Sequence, residues 1–174
     1  MVAVKQHTQV YMKALSVHNY TKDGFVRLCK VEQDYDNKWL FSKINSQLMF
    51  DEHRSWVYFI VVDDVIVKVG ESGNPLGVPL KNSCQPKTGT EGRIGRYRGG
   101  DGTDEYIRTA LRDAVKAGKV SIWVRKCDIV QVNIDVAQTA RTVQTTFHKH
   151  LEMMYLDYIF AKTGRYPELN VCRK

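Results

Sequence analysis

The chain has 174 residues, 43% of them hydrophobic and 26% charged, and a net charge of +7. That length buries the core of one domain with room for an appendage, and the excess of Lys and Arg favours polyanionic partners. No apolar run of about 18 residues and no apolar segment of signal-peptide length occurs, which argues against a spanning helix or a secretory leader and predicts an intracellular, cytoplasmic protein. Cys29, Cys84, Cys127 and Cys172 lie far apart and read as reduced thiols.

Residues 1–50 read as an irregular helical arm or subdomain. Thr21 is placed to cap a helix through Phe25, Leu28 and Val31, and Trp39, Leu40, Ile44 and Leu48 form the apolar side of a second segment over Trp39–Met49. Ser55–Val62 (SWVYFIVV) and Val65–Glu71 (VIVKVGE) are rich in β-branched and aromatic residues, with Asp63-Asp64 as turn material between them. They predict an antiparallel hairpin. Ser72–Gly92 carries Pro75, Pro79 and Pro86 among glycines and predicts a long loop.

Thr90 can cap a short helix from about Glu91 to Tyr97. Asp104–Ala117 reads as an amphipathic helix with Ile107, Leu111, Ala114 and Val115 inward and acids in its first turn. Val120–Cys127 alternates as a third strand. Thr142–Lys162 reads as a long helix with Phe147, Leu151, Met154 and Tyr158 as its buried stripe, ended by Gly164. A short tail carries Pro167 and Asn170. The order predicts an α+β fold: a small three-stranded antiparallel sheet flanked by helices over residues 51–174, preceded by the arm of residues 1–50.

Several side chains along this order are able to do chemistry. The stretch Lys81–Arg98 holds Lys81, Lys87, Arg93, Arg96 and Arg98 against Glu91 alone. Arg93 and Tyr97 stand one helical turn apart and project from one face. A guanidinium there is either part of a solvated basic face or a bidentate donor to a phosphate. Tyr58 is either a core residue or a group that orients or deprotonates a water. Lys68 interrupts Val65-Ile-Val-Lys-Val, as an exposed position or as a cation aimed at an anion. Side chains alternate along strands, so Tyr58 and Lys68 share a face only if the hairpin loop is odd or a bulge intervenes, and one is expected.

Glu152 lies beside the apolar stripe, together with His148, Tyr155 and Ile159. A partly buried carboxylate needs a partner, which is either a basic side chain or a divalent ion. The i, i+4 spacing of His148 and Glu152 also permits a softer metal held by both. Asn170 is either a turn residue or a hydrogen-bonding group for Glu152 or a phosphate oxygen.

Tyr58 in Trp56-Val57-Tyr58, Gly70 in Lys68-Val69-Gly70 followed by Glu71-Ser72, then Arg93 with Tyr97, Glu152, and Asn170 after Pro167 come in an order that resembles the GIY-YIG nuclease superfamily over about Ser55–Asn170. The chain departs from the pattern at Trp56 and at Lys68. Lys in place of the second signature tyrosine resembles the restriction-endonuclease branch. The resemblance implies the GIY-YIG nuclease fold and a catalytic set of Tyr58, Lys68, Arg93, Tyr97, Glu152 and Asn170, with Mg²⁺ (or Mn²⁺) on Glu152. It implies hydrolysis of DNA phosphodiesters to 5′-phosphate and 3′-hydroxyl ends. Lys81, Lys87, Arg96 and Arg98 of the basic stretch are the expected DNA-binding residues.

The activity expected is that of a type II restriction-like endonuclease on double-stranded DNA, acting as a homodimer because one site cuts one strand. The chain ends soon after Asn170, so recognition would fall to the arm, the Ser72–Gly92 loop and the dimer mate. Two alternatives stay open: a repair or mobile-element nuclease of low or structure specificity, and a nucleic-acid-binding module with a decayed catalytic set.

Overall fold

A computed structural model describes residues 15–33, 38–76, 93–94, 97, 102–136 and 139–170. Its centre is a five-stranded antiparallel sheet in the order β2-β1-β5-β3-β4. The strands are β1 (Val26–Gln33), β2 (Trp39–Ser42), β3 (Trp56–Val62), β4 (Val65–Ser72) and β5 (Val120–Lys126). The three expected strands are β3, β4 and β5; the sheet is larger than expected because β1 and β2 extend it.

Residues 26–33 and 39–42 are therefore sheet and not a helical arm. The reason lies in a β-bulge. The register of β1 against β5 shifts between Arg27 and Cys29, leaving Leu28 as an extra residue. The shift buries Leu28, Cys29 and Val31 together, so Phe25, Leu28 and Val31 imitate the three-residue spacing of a helix stripe. Thr21 belongs to a short 3₁₀ turn, Val17–Asp23, and its hydroxyl donates to the His18 carbonyl at 3.0 Å. Of the second expected helix only one turn exists, α1 (Ser46–Met49), capped by Asn45, whose Oδ1 accepts from the Leu48 N–H at 3.4 Å. Residues 1–14 lie outside the described residues.

The β3–β4 hairpin turns at Asp63 and Asp64, both at positive φ (45° and 67°), the geometry that matches strand twist in a two-residue loop. Val62 faces Val65 and Val61 faces Ile66, but Ile60 faces Lys68, so Val67 is bulged out. Without that bulge Lys68 would point to the opposite face. With it, Tyr58, Ile60, Lys68 and Gly70 share one side of the hairpin.

Each face of the sheet has its own core. Trp56, Tyr58, Ile60, Ile122 and Val124 pack with Trp39, Ile94 and Tyr97, with Ile107 of α2 (Thr103–Ala110), with Val115 of α3 (Arg112–Lys116) and with Leu111 between them. The expected helix over Asp104–Ala117 is thus two helices broken at Leu111, with the expected residues inward. On the other face Val57, Phe59, Val61 and Val69 pack with Phe25, Tyr20 and the residues Tyr155, Leu156 and Ile159 of α4 (His148–Thr163).

Two expectations about the C-terminal region are corrected. β6 (Ile129–Val136) and β7 (Thr139–Thr146) form a separate two-stranded ribbon, so α4 starts at His148 and not at Thr142. The β-branched run Thr142-Val-Gln-Thr-Thr suits a strand better than a helix. The buried stripe of α4 is also rotated from the expected one. Phe147, Met154 and Tyr158 are 44%, 53% and 52% exposed, and the packed flank is His148, Tyr155, Leu156 and Ile159, the side on which Glu152 lies. No helix among the described residues is long and apolar enough to cross a membrane.

Candidate active site

Tyr58 is fully buried in the middle of β3, and its register partner on the edge strand β4 is Gly70. The phenol lies across that glycine. A Cβ at position 70 would stand 2.3 Å from Tyr58 Cζ and 2.4 Å from its Oη. Glycine is the residue that lets the side chain cross the outermost strand here.

The Tyr58 hydroxyl meets Tyr97 Oη at 2.8 Å and accepts from Arg93 Nε at 3.1 Å. Arg93 Nη2 also donates to Tyr97 Oη at 3.4 Å. The guanidinium carbon lies 5.7 Å from the Tyr58 ring centre and 5.2 Å from that of Tyr97, within cation–π range. Its remaining edge points to Asp104, with Nη1 3.5 Å from Oδ1. Asp104 sits in the first turn of α2 and is 8% exposed.

Backbone and packing contacts hold this cluster in place. The Arg93 and Ile94 N–H groups donate to the carbonyls of Pro75 and Leu76 at 3.3 and 3.2 Å, which pins the turn carrying Arg93 to the start of the segment after β4. The Tyr97 N–H closes a tight i→i+3 bond to the Ile94 carbonyl, where a short helix was expected. Trp39 of β2 stacks on Tyr97 at 5.5 Å between ring centres. The N-terminal strand pair thus backs the site, a role its sequence gave no sign of.

The electrostatics follow from burial. Burial pushes the Tyr58 hydroxyl up; Arg93 and Tyr97 pull it back in part, and the charge of Glu152 pushes it up again. Tyr97 is pushed up by burial and by Tyr58. Burial works against the Arg93 charge, but Tyr58, Tyr97 and Asp104 outweigh it and hold the guanidinium firmly cationic. Both tyrosines are hydrogen-bond donors at neutral pH rather than phenolates. Glu152, half-buried on α4, lies near enough for its charge to act on Tyr58.

His148 fixes where α4 sits. It is 7% exposed, its Nε2 is 3.1 Å from Glu71 Oε2, and its Nδ1 is 3.4 Å from Ser55 Oγ. The first turn of α4 is thereby fastened to β4 and to the residue preceding β3, with Glu152 one turn further along the same flank. Both ring nitrogens are engaged, by Glu71 and by Ser55. Among the described residues no group of three or more His, Cys, Asp or Glu is arranged to hold a metal. Glu152 offers one carboxylate, a donor set that fits a hard ion such as Mg²⁺, which keeps most of its waters and needs only one or two protein carboxylates.

Tyr58, Arg93 and Tyr97 therefore meet directly, Glu152 acts on them through its charge, and Lys68 stands two residues from Gly70 on the same side of the hairpin. Asn170 is placed differently from expectation. Its Oδ1 accepts from the Val69 N–H and its Nδ2 donates to the Val69 carbonyl, both at 2.8 Å. Its amide pairs the outer edge of β4 beside Gly70. Sequence reasoning assigned no role to Asp104, Glu71 or Ser55; all three act through tertiary partners. Lys81, Lys87, Arg96 and Arg98 lie outside the described residues. A hollow of about 450 Å³ opens on the Met154–Tyr158 flank of α4, lined also by Tyr20, Asp23 and Arg125, and it contains none of the expected site residues.

The fold has a solved counterpart. The chain shares its fold with the structure of a mutant of bacteriophage T4 EndoII, at a TM-score of 0.55 and 17% identity over 87% of this chain and 98% of that one. Restriction endonuclease HPY188I in complex with product DNA also aligns, at a TM-score of 0.47 and 19% identity over 90% of this chain and 84% of that one. No family model and no curated protein matches the sequence significantly.

Proposed function

We propose that this protein is a DNA endonuclease of the GIY-YIG type. It hydrolyses phosphodiester bonds of double-stranded DNA in a divalent-metal-dependent, sequence-specific manner and acts as a homodimer. The observation that carries this reading is one arginine donating to two buried tyrosine hydroxyls at a glycine window in an edge strand, within the field of Glu152. The fold shared with T4 EndoII and the net charge of +7 are consistent with it.

In this reading Arg93, whose side chain is 25% exposed, turns the N–H groups left over by Tyr58, Tyr97 and Asp104 to a phosphate and neutralises charge as it grows on the phosphoryl oxygens. Asp104 and the two tyrosines hold the guanidinium plane, so little reorganisation is needed when the phosphate arrives. The raised Tyr58 and Tyr97 hydroxyls stay protonated and orient a phosphoryl oxygen or the attacking water, rather than removing its proton. Lys68 adds positive charge on the same side of the hairpin. Glu152 is the residue that would hold Mg²⁺ or Mn²⁺, and the ion when bound supplies Lewis-acid stabilisation of the leaving oxygen. Asn170 acts by fixing β4 and not by touching substrate.

The test is digestion of a long DNA with Mg²⁺ or Mn²⁺, with and without EDTA, followed by sequencing of the fragment ends. Discrete fragments with 5′-phosphates that disappear in Arg93→Ala support the reading. Absence of cutting with either ion, while duplex binding persists in EDTA and in Glu152→Ala, would show a binding module with no catalysis.

A further inference from the structure

The ribbon of β6 and β7 stands apart from the five-stranded sheet, and among the described residues neither strand packs broadly on another element. Over Ile129–Thr146 the sequence has one acid and one base, Asp135 and Arg141. Ordinary solvent-facing surface is about a quarter to a third charged, and ribbons with free edges are usually guarded by charge. Amides and hydroxyls stand on one face instead, and Val130, Val132 and Val143 are exposed on the other. In the register Gln131 faces Gln144 and Asn133 faces Thr142, so the four side chains share one face as a two-by-two grid. All four are exposed. The Thr142 hydroxyl donates to Asn133 Oδ1 at 2.8 Å, which orients that amide.

The ribbon also springs from the correct place. β6 follows the end of β5, where Lys126 faces Trp56, one pair of residues from Tyr58. β7 leads into His148, which is anchored on Glu71 beside Gly70. The grid lies roughly 13–20 Å of strand from His148.

We propose that the Gln131–Gln144 and Asn133–Thr142 face of this ribbon enters the DNA major groove and reads base edges next to the phosphate that Arg93 holds. The proposal rests on the endonuclease reading. The major groove, about 12 Å wide, admits a two-stranded ribbon. Gln and Asn amides match the paired N6 donor and N7 acceptor of adenine. Rows two residues apart are separated by roughly 7 Å, the rise of about two base pairs. The ribbon supplies discrimination, and the basic remainder of the chain supplies attraction.

The experiment selects duplexes from a random-sequence library bound by the full chain in EDTA, and separately maps cut ends in Mg²⁺. The wild type is expected to enrich a short motif containing A·T pairs. In Gln131→Ala/Gln144→Ala, preference for the best motif over a single-pair mismatch should fall at least about ten-fold. Thr142→Val, which removes only a hydroxyl, should weaken preference at the neighbouring pair, and thermal melting checks that each variant is folded. An identical motif and preference in the double variant overturns the proposal, as does a wild type that enriches no motif. Loss of preference that accompanies a change of oligomeric state in sedimentation also overturns it, and makes the ribbon a contact between copies. A library that is selected but never cut with Mg²⁺ or Mn²⁺ defeats the endonuclease reading, whereas cutting at sites without the selected motif overturns the ribbon proposal alone.

Discussion

Gly70 and Tyr58 face each other across β3 and β4 with no space between them: a Cβ at position 70 would fall within 2.8 Å of three atoms of the phenol. The position of the Tyr58 hydroxyl, and with it the Arg93–Tyr97 hydrogen bonds, depends on a missing side chain on the neighbouring strand. Gly70→Ala should therefore push the phenol off Arg93. The expected cost is about 1–3 kcal/mol of stability, read as a drop of several degrees in Tm, with DNA cutting lost. A variant that melts normally and cuts normally would mean that the ring has another route past β4.

Arg93→Ala should lower cutting by on the order of 10²–10³-fold, the usual effect of removing one preorganised charge-stabilising group. Stability should change less, because Tyr58 and Tyr97 still bond each other at 2.8 Å. Arg93→Lys keeps the charge but cannot reach two hydroxyls and Asp104 at once, so it should recover little of the rate. Single-turnover rates together with melting curves separate the two effects. Full activity in the lysine variant would show that charge alone suffices.

Glu152→Ala should stop cutting and leave duplex binding in place, and Glu152→Gln should do the same. In both variants Mg²⁺ should no longer raise the melting temperature. Because the Glu152 charge helps to raise Tyr58, its removal should also move the Tyr58 ionisation downward in an ultraviolet pH titration. Unchanged cutting in Glu152→Ala removes Glu152 as the metal-holding residue.

Alkaline stability provides a separate test of the core that carries Tyr58. Burial pushes the Cys29 thiol from 9.0 up to about 12, and burial raises Tyr58 and Tyr97 as well. The unfolded chain gives up these protons first, so the stabilisation is whole below pH 9 and is lost as pH climbs from 9 towards about 12. The slope is about 1.4 kcal/mol per pH unit for each such group. Cys29→Ala should melt lower at neutral pH but decline less steeply above pH 9. An equal slope in both proteins would mean that Cys29 ionises as freely when folded.

Where periodicity was undisturbed, the sequence alone reached the right element. The β3–β4 hairpin, β5 and the inward faces of α2 and α3 follow from β-branched runs, an Asp-Asp turn and apolar residues at helical spacing. Tyr58, Arg93 and Tyr97 stood out through their order along the chain, which resembles the GIY-YIG pattern, and not through residue type alone. β1 was misread because the bulge at Leu28 turns a strand's alternation into a three-residue spacing, and bulges depend on the partner strand. β7 was misread because Phe147, Met154 and Tyr158 supply an apolar stripe that the fold leaves exposed.

What the sequence determined by itself is the chemistry that is present: a basic chain, a hairpin bearing a tyrosine and a lysine, an arginine–tyrosine pair, and a glutamate on the packed flank of a helix. These follow from residue type and short-range spacing. Only the tertiary structure decided which of those groups meet. It placed Tyr58 over Gly70, turned Lys68 to the same side through the Val67 bulge, set Asp104 behind Arg93 and stacked Trp39 on Tyr97. It also spent Asn170 on the edge of β4. The physical reason is that pairing register, bulges and side-chain crossings are settled between strands distant in sequence, where one residue of slip moves a side chain to the opposite face.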